Sequence, residues 1–182
     1  MTAALPSLVL ALLCLLQAGA EVPVQPDFDA EKFAGTWHVT ATASNCSIFL
    51  KMKDGMKSST TTISFTPEGD LAMKLVWAMC VSVLLATVPC CLTGHFWGLL
   101  PAQEKRDLFV METDYSHYAI VHETHQSDTE PSTALQLLTR EQDVSPQLLQ
   151  KFTELIPTMG LTEDMLAVLP KSGECPEGMG WP

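Results

Sequence analysis

His117, His122 and His125 crowd together with Glu123, and imidazole plus carboxylate is a donor set that zinc and other transition metals accept. The spacing argues against that chemistry. The segment reads as a strand, in which residues three apart point to opposite faces, so His122 and His125 cannot share an ion. No cysteine or histidine pair has zinc-ligand spacing, and solvated histidines near a strand end, with no metal, are expected. Cys46 would be a nucleophile only as a thiolate; in a loop it reads as a free or mispaired surface thiol. Asp114-Tyr115 lies at a turn between two strand-like runs, where a short carboxylate caps backbone amides. A catalytic carboxylate would need a partner acid or base, and none is indicated. No catalytic residue is assigned.

The elements that must position these residues are mostly short strands. Trp37 to Ala43 and Ser59 to Thr66 are rich in β-branched residues. Leu71, Met73, Leu75 and Trp77 alternate with Ala72, Lys74 and Val76, the period of a half-buried strand. Asp107 to Glu112, His117 to Glu123 and Thr133 to Thr139 are further strands, and Met165 to Leu169 a short last one. Ser44 to Gly55 reads as a long polar loop, and Pro67-Glu68-Gly69-Asp70 as a turn. One helix is expected: Ser145-Pro146 supplies an N-cap and a first-position proline. Leu148, Leu149, Phe152, Leu155 and Ile156 then share a face, and Pro157 and Gly160 end it. Such a chain suits a sandwich or an up-and-down barrel with one outer helix.

Residues 1–20 read as a secretory signal, with an apolar core from Leu5 to Leu16 and a small-residue site at Ala18-Gly19-Ala20. That run is too short to span a bilayer. Removing twenty residues from 182 leaves 162, enough for one domain with a sizeable core (21–182). A net charge of -11 argues against nucleic acid and anionic membrane surfaces. Export makes a disulfide expected, and losing Cys14 with the signal leaves an odd number of cysteines. Asn45-Cys46-Ser47 is an N-glycosylation sequon.

Gly35-Thr36-Trp37, then Thr113-Asp114-Tyr115 followed by Tyr118, then Thr139-Arg140 at a strand end, resemble in order the three motifs of the lipocalin family. The runs Val110–Ala119 and Leu161–Met165 are similar to its lipocalin-15 and prostaglandin D synthase branches. The resemblance implies an all-β fold, an eight-stranded antiparallel up-and-down barrel with one C-terminal flanking helix. Its structural kernel would be Gly35, Trp37, Asp114, Tyr115 and Arg140, with Arg140 lying across the Trp37 ring. It also implies that Cys175 ties the tail to the barrel wall through Cys80, Cys90 or Cys91, a choice left open.

If Trp37 points inward, strand alternation carries Val39 and Ala41 with it, and Leu138 and Gln136 share the face of Arg140. By resemblance the interior would also take Ser59, Thr61, Ile63, Met73, Leu75, Trp77, Leu108, Val110, Ala119 and Val121. Such an interior holds one small apolar ligand such as a lipid or retinoid, or simply fills itself. The resemblance thus implies a secreted, monomeric carrier with no cofactor. The rival is a prostaglandin-type isomerase using a thiol, but Ser59 stands where that branch has its nucleophilic cysteine. A hydroxyl without an activating base is a far poorer nucleophile.

Residues 78–93 depart from the family pattern, and Leu75 to Gln103 carries no charged side chain. Its length suits a membrane span, but a span would separate Trp37 from Arg140. Two strands buried on both faces are expected instead, or a variant wall that disrupts the barrel and abolishes binding.

Overall fold

The computed structural model describes residues 22–65, 71–78, 83–90, 95–100, 104–126 and 131–171. The signal segment, the 67–70 turn, Cys80, Cys91 and Cys175 lie outside the described residues. The elements are α1 (Ala30–Phe33), β1 (Gly35–Ser44), α2 (Ser47–Met52), β2 (Ser59–Phe65), β3 (Leu71–Ala78), β4 (Val83–Cys90), β5 (His95–Leu100), β6 (Glu104–Thr113), β7 (Tyr118–Gln126), β8 (Ser132–Thr139), α3 (Pro146–Leu155) and β9 (Leu166–Val168).

Each strand from β2 to β8 pairs antiparallel with its successor, β8 pairs with β1, and β1 pairs with β2. The pairings therefore close on themselves into an up-and-down barrel of eight strands. Between β4 and β5 the described residues show one register pair, Cys90 with Phe96. The described residues of the uncharged middle, 75–78, 83–90 and 95–100, are thus strands of the wall. Among the described residues no helix is long and apolar enough to cross a membrane.

One edge of β1 is shared by two strands. β2 covers Gly35 to Val39, and the short β9 covers Ala41 to Ala43. Between these stretches the register with β8 jumps from Val39↔Leu138 to Ala41↔Leu137, a bulge that adds Thr40. An extra residue reverses which side chains face the core from that point on. Trp37 and Val39 accordingly join the inner cluster, while Ala41 and Ala43 join the outer one. Ala41, expected inside, is turned outward. A second bulge in β6, between Val110 and Glu112, leaves Val110 inside and turns Met111 out.

The outer cluster is the seat of α3. The hydroxyl of Ser145 accepts from the Leu148 amide at 3.2 Å with Pro146 in the first turn, satisfying one of the donors a helix start leaves unpaired. Phe152 and Ile156 are fully buried against Ala41, Ala43, Ile120, Leu135 and Leu137. At its edge Lys151 pairs with Glu112, which also accepts from the Tyr118 hydroxyl.

Two further helices had no sequence signal. Asp29 caps the four-residue α1 through the Lys32 amide at 3.1 Å. α2 occupies part of the stretch read as loop and has no side-chain cap. Helices of one turn or so are too short to show a 3.6-residue period, and tertiary contacts hold them.

Candidate ligand-binding interior

The end of the barrel at Gly35 is closed by aromatic rings and one guanidinium. Trp37 is fully buried, and its Nε1 donates to the Phe33 carbonyl at 2.8 Å. Phe33 packs on it with ring centres 5.3 Å apart, and Phe28 meets Phe33 edge-on at 5.1 Å. The guanidinium carbon of Arg140 stands 3.7 Å from the centre of the Trp37 ring, within cation–π range. Its nitrogens donate to the carbonyls of Lys32 (2.9 Å), Ala34 (3.0 Å), Thr36 (3.0 Å) and Tyr115 (3.1 Å). One side chain thus fastens α1, the start of β1 and the β6–β7 turn together. Partial burial lowers the pKa of Arg140, with Asp114 pulling the other way; a guanidinium remains protonated regardless.

Gly35 serves this closure directly. Its φ is +104°, and a Cβ there would come 3.1 Å from an Arg140 nitrogen, so any side chain is both strained and in the way.

The β6–β7 turn is built on Asp114. Its Oδ1 accepts from the amides of Ser116 (3.1 Å), His117 (2.7 Å) and Tyr118 (3.0 Å). Oδ2 lies 2.8 Å from Nδ1 of the exposed His117. Tyr115 sits in the left-handed region at φ 64°, and its hydroxyl accepts from the Asp29 amide at 2.9 Å. Burial pushes the Asp114 carboxyl up. The amides of Tyr118 and His117 and the His117 ring outweigh that and hold it below the ordinary carboxylate value. A carboxyl with a depressed folded pKa stabilises the fold above its unfolded pKa of about 3.9, and that contribution vanishes as pH falls through the lower folded value. Asp114→Ala is therefore expected to cost about 1 kcal/mol at neutral pH, allowing for solvent screening. The gap between the urea midpoints of variant and wild type should close in acid; a gap that persists there would contradict the assignment.

Above this floor the inner wall is apolar. Val39, Ile63, Met73, Leu108, Val110, Ala119, Val121 and Leu138 are buried in one cluster with Trp37. Thr61 is buried opposite Trp37 in register. Leu75 and Trp77 lie in β3 opposite Ala86 and Leu84, and their side chains are outside the described residues. Ser59 opposes Val39 at the start of β2. Its hydroxyl is buried without a hydrogen-bond partner, so no base is in contact to activate it.

Further from the floor the wall turns polar. Thr42, Gln136 and Glu123 are 2%, 3% and 7% exposed, and Gln136 Nε2 donates to Glu123 Oε2 at 3.1 Å. Glu123 was grouped in the sequence only with the histidines. Those are not gathered: His117 is exposed on the turn and His125 is near the far end of β7. His122, expected to be solvated, is 4% exposed instead. It alternates out of the barrel, 6.2 Å from the Phe109 ring, and burial lowers its pKa. Among the described residues no group of metal-binding side chains is found.

Asn45 and Cys46 lie just beyond β1. Asn45 is exposed, and its Oδ1 accepts from the Thr133 amide at 2.8 Å. Cys46 is a free, half-buried thiol.

The family model for lipocalins and cytosolic fatty-acid binding proteins matches residues 81–173. Human lipocalin-15 is 40% identical over 170 residues, covering 92% of this chain and 91% of its own. The extracellular fatty acid-binding protein of Coturnix japonica is 34% identical over 170 residues, 93% of this chain and 94% of its own. The prostaglandin-H2 D-isomerase of Sus scrofa is 30% identical over 176 residues, 93% and 92% of the two chains. The solved siderocalin Ex-FABP, described as functioning through dual ligand specificities, superposes with a TM-score of 0.65 at 26% identity, over 79% of this chain and 97% of its own. With its closed ring of strands, its floor of Trp37 under Arg140 and these relatives, the chain belongs to the lipocalin family.

Proposed function

We propose that this protein is exported and carries a small apolar molecule inside its barrel. The observation that carries the reading is the apolar cluster of the inner wall, Val39, Ile63, Met73, Leu108, Val110, Ala119, Val121 and Leu138, closed at one end by Trp37, Phe33 and Arg140. Burying apolar ligand area against such a wall gains about 25 cal/mol per Å². The names of the relatives agree, since one is an extracellular fatty acid-binding protein.

The carrier reading extends to a signal over residues 1–20, a domain over 21–182, a glycan on Asn45 and a tail disulfide from Cys175. It takes the chain to act as a monomer, without cofactor or nucleic acid. Catalysis of the prostaglandin-isomerase type is not part of it. Ser59 offers a hydroxyl with no contacting base, and Cys46 lies outside the wall. If turnover of a prostaglandin endoperoxide were found and then lost in Cys46→Ala, the isomerase reading would replace this one.

The deciding experiment titrates the mature, secreted chain with fluorescent fatty acids and retinoids while following tryptophan emission. Saturable quenching is expected, because Trp37 forms the floor. A flat response across a broad lipid panel removes the carrier reading. The mass of the secreted species, reduced and unreduced, reports cleavage, glycan and disulfide together.

A further inference from the structure

Among the described residues, two hydroxyls of the inner face are buried without a hydrogen-bond partner. Ser59 is 1% exposed and Thr42 is 2% exposed. Their strands turn both of them inward. Ser59 opens β2 opposite Val39, a member of the inner cluster, and directly opposed residues share a face. Thr42 stands between Ala41 and Ala43, which belong to the outer cluster, and opposite Ala167, which belongs to the inner one. It reaches that face only because of the bulge at Thr40. With an unbroken strand, Ala41 and Ala43 would face the interior instead.

The same strand shows how a buried hydroxyl is ordinarily satisfied. Thr40 donates to the Leu137 carbonyl at 3.2 Å, and Ser44 to the Thr133 carbonyl at 2.9 Å. Gln136 stands opposite Thr42, but its amide is turned to Glu123. An unpaired buried hydroxyl is a cost to the fold, one that an apolar side chain of the same shape avoids. Val39, Val121 and Leu138 of the surrounding wall are of that apolar kind. Two hydroxyls that weaken the empty barrel suit a polar group that arrives from outside the chain.

We propose that Ser59 and Thr42 bind the polar group of the carried molecule, on the carrier reading above. That molecule is then an apolar chain bearing an oxygen function, a hydroxyl or a carbonyl. A hydroxyl both gives and accepts a hydrogen bond, so either oxygen satisfies what the wall leaves unpaired. An apolar chain without such an oxygen leaves both hydroxyls unpaired and is the disfavoured ligand.

Three twelve-carbon probes, dodecanol, 2-dodecanone and 1-chlorododecane, test this by competition against a bound fluorescent lipid. The mature chain should bind the alcohol and the ketone about tenfold more tightly than the chloride. Ser59→Ala and Thr42→Val should each lose most of that preference and hold the chloride as before. Without ligand, their urea midpoints should be no lower than that of wild type, a readout that a purely structural hydroxyl would move downward. Lower midpoints in both ligand-free variants overturn the inference, because the hydroxyls would then serve the fold. If wild type binds the chloride as tightly as the others, the inference falls while the carrier reading stands. The same holds if both variants keep the wild-type preference. If none of the probes binds, nor any lipid of the panel, both readings fall.

Discussion

Trp37→Ala should lower stability by about 3–5 kcal/mol, a large fraction of the roughly 5–15 kcal/mol that holds a domain together. Among the described residues the side chain is the largest that is fully buried, so truncation leaves a cavity that close packing cannot refill. The loss is not confined to apolar area. Phe33 loses the ring it packs on and an acceptor's partner, and Arg140 loses the face beneath its guanidinium. Arg140→Met separates these contributions. It keeps an apolar cover over the indole but forfeits the bonds to the carbonyls of Lys32, Ala34, Thr36 and Tyr115. The two substitutions share partners, so the double variant should cost less than the sum of the singles. Urea unfolding followed by far-ultraviolet circular dichroism measures all three. A Trp37→Ala midpoint equal to wild type would mean that the floor does not hold the barrel closed.

Phe152→Ala should be comparably destabilising, again about 3–5 kcal/mol, but with a different consequence. Phe152 is fully buried in the outer cluster between α3 and the strands. That cluster shares no residue with the inner one. The barrel wall lies between them, so loss of the helix anchor should leave the ligand-facing surface as it was. Below its melting temperature, Phe152→Ala is expected to bind the same lipid with wild-type affinity. An affinity that falls in step with stability would show that helix docking shapes the interior, against the two-cluster architecture.

The distinction between the clusters also marks how far the chain can be read residue by residue. The helix α3 was legible, because a cap, a first-turn proline and a 3.6-residue apolar stripe are local properties. So was the turn at Asp114, whose carboxylate bonds three amides and the His117 ring, all within four residues. The kernel of Gly35, Trp37 and Arg140 was legible for another reason. A glycine, the largest side chain and a cation in a family order leave few other ways to be buried.

What alternation alone misassigned was Ala41, the one inward residue it placed past a bulge. A bulge is a mismatch between two strands, so it belongs to the pairing of β1 with β8 and leaves no mark on β1 itself. That is why Ala41 was placed inside and Thr42 was overlooked. Burial of Glu123 and His122 escaped for a related reason, since a polar residue on a strand is solvated or enclosed according to what the neighbouring strands and helix place over it. Local residue chemistry thus determined most of the strands, the outer helix and the Asp114 turn, while the choice of barrel over sandwich and the closed end came from the order of the family motifs. Only the tertiary structure decided which side chains face the ligand, because facing is a relation between strands.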